Sequence, residues 1–470
     1  MLAHELHGRA GPARSCMAGG HDRATLKLLD AYGPNKEGAQ LSISVSSLGR
    51  LGAAMMECWP KCMEGRFMTG RLTTLALCAA LLLGAGRGAY AVPPRRLLVI
   101  SVDGLDWRYL RDRNALGLTI PHLRALLARS QVADGVTGVW PTITWPSHTT
   151  MLTGVRPDQH GILGNASGPP NPALSYWSAA KIKVPTLIQC VAARGHTIGA
   201  VNWPVTVDAR INWNLPEVYA RRDGDSSDMD TVDRFGTPGL VVEIGRAYPS
   251  FNHAWLDDRS RTLATLYVLK TRHPDLMLLH LAELDSEQHE EGPFTAHAKA
   301  VVERSDELIG DILKVLPRDY ALAVVSDHGF ERVDRIANLP AMAAADGVVG
   351  PMTVVGGLVT SSDPAVIAWL RTQAGKGDVG RQVPPAELAR YSAQLSGTGF
   401  EPAPHVMFGT GSALHEASMV KGNHGFWPLR DDYRSVFLLS GQGIKPAHLG
   451  TLDMLTLENR LVSALAINCR

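Results

Sequence analysis

The chain predicts an α/β fold built on a mostly parallel central sheet with helices on both faces. Two observations carry this. Short apolar runs of strand length recur through the C-terminal four-fifths of the sequence, and they alternate with segments of helical periodicity. Three of the runs place an aspartate just past the strand end, and the carboxyl ends of strands are where ligands bind in open parallel sheets.

The runs come in order. Leu97 to Val102 ends at Asp103-Gly104, and Thr197 to Val201 ends near Trp203-Pro204. Leu276 to Leu281 leads to Asp285, Tyr320 to Val325 to Asp327-His328-Gly329, and Ser435 to Leu439 to Gly441. Between them, Leu123, Leu126 and Leu127 mark one amphipathic helix. Val301, Leu308, Ile309, Ile312 and Leu316 mark another, stopped by Pro317. Two stretches rich in Gly, Pro and polar residues, about 205–260 and about 331–420, have weak periodicity and read as insertions on the catalytic face. No internal repeat is evident.

The chain has 470 residues and a formal net charge of +1. Near-neutrality and the lack of a long basic run argue against nucleic acid as an obligate partner. The first 91 residues differ from the rest. From Met68 a basic start, an apolar stretch from Leu72 to Leu83 and a small-x-small exit at Ala89-Tyr90-Ala91 describe a signal peptide over 68–91, cleaved after Ala91. The apolar stretch is shorter than the roughly 20 residues a membrane span needs, so no stable span is expected after cleavage. On this reading Met68 is the true start, and 1–67 is a mis-assigned or disordered extension preceding a catalytic domain over 92–470. The protein is expected to be secreted or periplasmic.

Of six cysteines, only Cys190 and Cys469 follow the expected cleavage site. Cys190 lies among Leu187, Ile188 and Val191 at helical spacing, which suggests a core position. An oxidising compartment also permits a disulfide between the two.

The chemistry resides in scattered acids and imidazoles. In Asp285-Ser286-Glu287-Gln288-His289 the terminal pair are four apart and share a helix face. Ser326-Asp327-His328-Gly329 supplies a carboxylate and an imidazole at a strand exit, and Gly422-Asn423-His424-Gly425 holds a histidine between glycines. With Asp103 these make six N/O ligands, a set suited to zinc at bond lengths of ~2.0–2.2 Å. Two sites of three ligands each, ~4 Å apart, would clamp the attacking and leaving oxygens of a phosphoryl displacement. The candidate nucleophile is Thr144, within Pro141 to Gly154. Pro146 can take the first helical position, which sets Thr144 at or just before a helix N-terminus, where partial positive charge favours an alkoxide and an anionic phosphate. A plain helix cap is the alternative role for Thr144.

Together these segments resemble the type I phosphodiesterase/nucleotide pyrophosphatase family of the alkaline phosphatase superfamily, with the motifs in the family's order from Leu97 to about Ile467. The resemblance implies an alkaline phosphatase-like three-layer α/β/α fold. It implies that Asp103, Asp327 and His328 bind one divalent ion with Thr144, and that Asp285, His289 and His424 bind the other, the ions being zinc. It also implies that Asn165, closing His160-Gly161-Ile162-Leu163-Gly164-Asn165, donates to a phosphoryl oxygen. Thr144 would attack phosphorus and water would hydrolyse the phosphothreonine. His148 and His160 match the motifs without a ligand position to fill and read as structural. The substrate-binding insertion of vertebrate-like members is not recognisable here, which leaves nucleotide specificity open.

The expected substrate is thus a small phosphoester, a phosphodiester or nucleotide pyrophosphate, because the nucleophile motif lacks an arginine to anchor a dianion. A phosphomonoesterase or phosphonate hydrolase of the same superfamily is the alternative, and a catalytically inactive binding protein the remaining one. A sulfatase is excluded, since Thr144-Trp145-Pro146-Ser147-His148 has neither the modifiable Cys or Ser nor the arginine.

Overall fold

The computed structural model describes residues 96–165, 177–218 and 229–469. The expected signal peptide and the segment before it lie outside these. The fold is built on an eight-stranded sheet of order Ala447–His448, Gln131–Val132, Phe437–Ser440, Tyr320–Val325, Arg96–Val102, Leu276–Leu281, Ile198–Val201 and Trp213–Leu215. The strand Arg96–Val102 is central and pairs in parallel with Leu276–Leu281 on one side and Tyr320–Val325 on the other. All three are buried almost throughout, which is why they read as continuous apolar runs rather than as alternating ones.

Alternation is still at work within them. Leu98, Ile100 and Val102 enter one core with Met277, Leu279 and Val324. Leu97 and Val99 enter the other with Leu276, Leu278 and Ala323. The first core is closed by helices Pro121–Arg129, Asp258–Thr271 and Ala296–Leu313. The second is closed by Thr144–Thr153, Leu187–Ala193 and Leu457–Leu465. The result is the three-layer α/β/α arrangement of the alkaline phosphatase type.

Some elements depart from the sequence reading. The run expected as a strand over 435–439 is Phe437–Ser440, and it pairs antiparallel with Tyr320–Val325. A short apolar run carries no sign of its direction. The polar stretch 205–260 contributes the edge strand Trp213–Leu215, in parallel with Ile198–Val201, besides the helices Met229–Phe235 and Leu240–Ala247. The stretch 331–420 leaves the central sheet altogether. It builds one small sheet on Glu331–Asn338 and another of Val379–Val383, Thr398–Pro402, Leu358–Ser361 and Thr353–Val355.

Cys190 is not a buried core thiol. It is partly exposed and bonded to Cys469, with Cα atoms 5.6 Å apart and a sequence separation of 279. Helical spacing located the helix but could not show that the C-terminus returns to it. Among the described residues no helix is long and apolar enough to cross a membrane.

A cross-link over so long a loop constrains the unfolded chain strongly. Cys469→Ser should lower unfolding stability by ~2–5 kcal/mol, read from denaturant titration under oxidising conditions. A variant as stable as the wild type would show that the bond contributes nothing to the native state.

Candidate active site

Asp103 is the first residue past the central strand. Its N–H donates to the Leu281 carbonyl at 2.8 Å, which fixes its height on the sheet. The next residue, Gly104, turns the chain with φ +65°, and a Cβ there would lie 2.9 Å from Gln288 Nε2, so glycine is required on two counts. The Gly104 N–H donates to Asp327 Oδ1 at 3.1 Å. Asp327 lies past the neighbouring parallel strand, whose register opposes Ser101 to Val325. Parallel pairing therefore brings both aspartates, with His328, to one edge.

Asp285 and His289 arrive differently. Asp285 is the third residue of the helix Glu283–Glu291 that follows the strand Leu276–Leu281, and His289 is one turn further on. The His424 loop packs on this helix, with the Lys421 N–H donating to the His289 carbonyl at 2.8 Å.

Among the described residues, two groups could hold a metal ion: Asp103, Asp327 and His328, all buried, and Asp285, His289 and His424, half-buried. Within the first, His328 Nε2 lies 3.3 Å from Asp103 and 3.2 Å from Asp327. Within the second, Asp285 lies 3.4 Å from His289 Nε2 and 3.5 Å from His424 Nε2. The groups abut, since His328 Nε2 is 3.9 Å from Asp285 and the His328 and His424 rings stack at 3.8 Å. Asp103 Oδ1, Asp285 Oδ1, Asp327 Oδ2 and His328 Nε2 are buried without a hydrogen-bond partner. Buried polar atoms are normally satisfied, and these four all belong to the candidate ligands.

The imidazoles are oriented for coordination. His289 Nδ1 meets the Gly422 carbonyl at 3.0 Å, His424 Nδ1 the Thr142 carbonyl at 3.3 Å and His328 Nδ1 the Gly329 carbonyl at 3.2 Å. A carbonyl can only accept, so each Nδ1 carries the hydrogen and each Nε2 lone pair faces the cluster, the arrangement of metal-ligating histidines. Burial and the Asp327 and Asp285 charges push the Asp103 carboxyl well above its usual range. Burial lifts Asp327 to about 7 and drives His424 down to about 4. Neutral imidazoles beside crowded carboxylates are a donor set that fits divalent cations.

Thr144 is the first residue of the ten-residue helix Thr144–Thr153, so Pro146 is third rather than first. Proline is tolerated there because first-turn N–H groups have no partner within the helix. The cap residue is Ile143, which makes no side-chain cap bond, so Thr144 is not the plain cap that its sequence position also allowed. The preceding loop is tied to the cluster by the Gly425 N–H, which donates to the Thr142 carbonyl at 3.0 Å. The Trp145 N–H donates to Asn165 Oδ1 at 3.0 Å, which leaves the exposed Asn165 amide hydrogens free of that bond.

His148 is fully buried between the Thr144 carbonyl at 2.8 Å and Ser101 Oγ at 2.9 Å. His160 pairs with Thr150 Oγ1 at 3.1 Å. Trp145 and Trp203 are both buried, so neither offers a face to a base. Sequence reasoning missed Glu217, which accepts from the Trp145 indole at 3.0 Å and which burial raises to about 8. It also missed His280, 3.0 Å from Asp103 Oδ2. Its signal was a single imidazole in an otherwise apolar strand.

This fold and site define a three-layer α/β/α protein with paired carboxylate and imidazole clusters at the strand ends. Residues 97–405 match the family model for type I phosphodiesterase/nucleotide pyrophosphatase, and the chain belongs to that family. It is 25% identical over 284 residues to human ectonucleotide pyrophosphatase/phosphodiesterase family member 7, covering 57% of this chain and 56% of that protein. It is 25% identical over 299 residues to a bovine bis(5'-adenosyl)-triphosphatase, covering 60% and 56%. Human family member 1 is 27% identical over 255 residues, covering 52% and 24%. The chain thus spans between a quarter and just over half of the length of these relatives. The fold is similar to that of mouse ectonucleotide pyrophosphatase/phosphodiesterase 5 in its inactive form in complex with AMP. The TM-score is 0.55 at 18% identity, covering 80% of this chain and 96% of that one.

The clustered carboxyls give a pH signature. Asp327 titrates near 7 in the folded, cation-free protein against its ordinary 3.8. A carboxyl raised on folding contributes stability that is complete below its unfolded pKa and is lost as pH rises through the folded value. Protein stripped by a chelator should therefore lose melting temperature between about pH 4 and about pH 7 and level off above that. Asp327→Asn should flatten that loss and added zinc should abolish it. An equal slope in wild type and variant would remove Asp327 as its source.

Proposed function

We propose that this protein is a secreted or periplasmic two-metal phosphohydrolase that cleaves phosphodiesters or nucleotide pyrophosphates through a phosphothreonine intermediate. The observation that carries the reading is the meeting of two three-ligand clusters, with four unpartnered buried polar atoms, beside a helix that begins at Thr144. Asp103, Asp327 and His328 would hold one divalent cation and Asp285, His289 and His424 the other, zinc being the ion this donor set suits best. When bound, the pair supplies Lewis-acid stabilisation of the charge that develops on phosphoryl oxygens and lowers the pKa of the attacking hydroxyl.

The remaining work falls to the chain. The Thr144 hydroxyl, at the positive end of its helix, attacks phosphorus and displaces the ester oxygen, which leaves with a proton. Water then attacks the phosphothreonine and restores Thr144. Asn165, with its carbonyl occupied by the Trp145 N–H, keeps its amide hydrogens for a nonbridging oxygen, a preorganised donor of the oxyanion-hole kind. The nucleophile motif carries no arginine, which fits a singly charged diester better than a dianionic monoester. The relatives' names, nucleotide pyrophosphatase/phosphodiesterase and bis(5'-adenosyl)-triphosphatase, support the same substrate class. The prefix in ectonucleotide and the Cys190–Cys469 bond support an oxidising, extracytoplasmic setting.

The test is a substrate panel of chromogenic diesters, monoesters and phosphonates on zinc-loaded protein, with metal content measured on the same samples. Diester turnover should dominate. Thr144→Ala should keep its metals and lose kcat by ~10³-fold or more, and Asn165→Ala should lose ~10²-fold. Undiminished turnover in Thr144→Ala would overturn the nucleophile. Metal-loaded wild type that cleaves none of the panel would favour an inactive binding protein.

A further inference from the structure

The segment 331–420 leaves the central sheet, yet part of it returns to the candidate site. Its helix Pro385–Tyr391 gives the fully buried Leu388 and the partly buried Tyr391 to a small hydrophobic cluster. Leu358 and Val383 of the same segment belong to it too, and it receives one tryptophan from each of two distant loops. Trp140 lies four residues before Thr144, and Trp427 lies three residues after His424. The two indoles pack with centroids 5.4 Å apart, and Tyr391 meets Trp427 at 5.0 Å.

Polar contacts fix the same elements. Trp427 is fully buried, and its indole N–H donates to Glu387 Oε1 at 2.6 Å. Glu387 is itself held by the Arg381 guanidinium, with bonds of 2.8 Å and 3.0 Å to its two oxygens. Two residues past the helix, the Ala393 N–H donates to Asp158 Oδ2 at 2.8 Å. Asp158 lies in the helix Pro157–His160, on the segment that runs from the helix of Thr144 to Asn165. Gly357, also of the segment, forms a bridge with Phe426, and a Cβ there would collide with the Gly425 carbonyl. Glycine thus permits a backbone-to-backbone approach at the residue after His424.

We infer that the helix Pro385–Tyr391 and the turn after it position three site segments at once, with Glu387 as the positioning residue for the His424 loop. Trp140 carries the packing to Thr144, Trp427 carries it to His424, and Asp158 carries it to Asn165. One rigid element in contact with all three holds ligand, nucleophile and phosphoryl-oxygen donor at fixed spacing. A displacement of about 1 Å in such a set can cost ~10²-fold in rate, so an element that touches no reacting atom still bears on the chemistry. This inference rests on the roles proposed for Thr144, Asn165 and His424.

The experiment uses the full chain. It reads zinc affinity by competition with a chromogenic chelator, kcat and KM on a diester at saturating zinc, and melting temperature. Trp427→Phe keeps a ring against Trp140 and Tyr391 but removes the donor. Glu387→Ala removes the acceptor, whereas Glu387→Gln keeps an acceptor oxygen and loses only the charge paired with Arg381. Trp427→Phe and Glu387→Ala should each weaken one of two zinc sites by ~10-fold or more and lower kcat by ~10–100-fold with little change in KM. Glu387→Gln should stay within ~3-fold of wild type, since it keeps the bond in neutral form. Asp158→Ala should lower kcat and leave both zinc affinities unchanged, because its contact leads to Asn165 and not to a ligand. Wild-type zinc affinity and kcat in Trp427→Phe and Glu387→Ala would overturn this inference alone. So would equal weakening of both zinc sites, the mark of a general loss of fold, or a Glu387→Gln as poor as Glu387→Ala. An Asp158→Ala at wild-type kcat would overturn the reach to Asn165. Wild type that binds no zinc and turns over no diester would overturn the reading beneath, and the inference with it.

Discussion

Three carboxylates, Asp103, Asp285 and Asp327, converge at the carboxyl edge of the parallel sheet in a place where water does not reach all of their oxygens. Each retains a buried oxygen without a hydrogen bond, and burial lifts Asp327 and Asp103 toward the protonated form. Like charges crowded in a low-dielectric site are unfavourable without a counter-charge. Nearby imidazoles do not supply it, because burial keeps His328 and His424 neutral. The geometry is therefore held against its own electrostatics by the fold, and a divalent cation bound there would relieve the conflict.

The holding is done mainly by backbone. Parallel pairing of the three central strands fixes Asp103 and Asp327 side by side. Carbonyls of Gly422, Thr142 and Gly329 take the Nδ1 hydrogens and aim the three rings. Thr142 does a second service. Its hydroxyl donates to the Phe426 carbonyl at 2.6 Å and lies 3.2 Å from the Tyr433 hydroxyl, so the loop before Thr144 is bolted to the loop of His424. A displacement of either loop would disturb a ligand and the candidate nucleophile together.

His280 and His148 show how such a site is supported from beneath. Both are wholly buried, both touch a residue of the cluster or its nucleophile turn, and they contact each other. Hydrogen bonds behind the ligands are short and internal, where the local dielectric makes them strong and their loss costly. The segment 331–420, which leaves the central sheet after His328 and returns before His424, is thus anchored at both ends on this cluster.

Much of the fold and site was legible in the sequence. The apolar runs gave the three central strands nearly to the residue, because strands buried on both faces must be apolar throughout. Aspartates at their ends, the four-residue spacing of Asp285 and His289, and the glycines around His424 marked the cluster. Less visible were contacts between segments far apart in the chain. Cys190 looked like core until its partner, 279 residues on, was in place. Thr144 could have been a cap until the helix was seen to begin on it. His280 and Glu217 carried no motif, since a residue that acts through another is defined only by what it touches. The sequence by itself determined the layers and the chemical types brought to the edge, because periodicity and strand-end position are local. Only the tertiary structure decided which oxygen stays unpaired, which imidazole nitrogen faces inward and which strand runs antiparallel. Those depend on distances between residues that the chain alone leaves free.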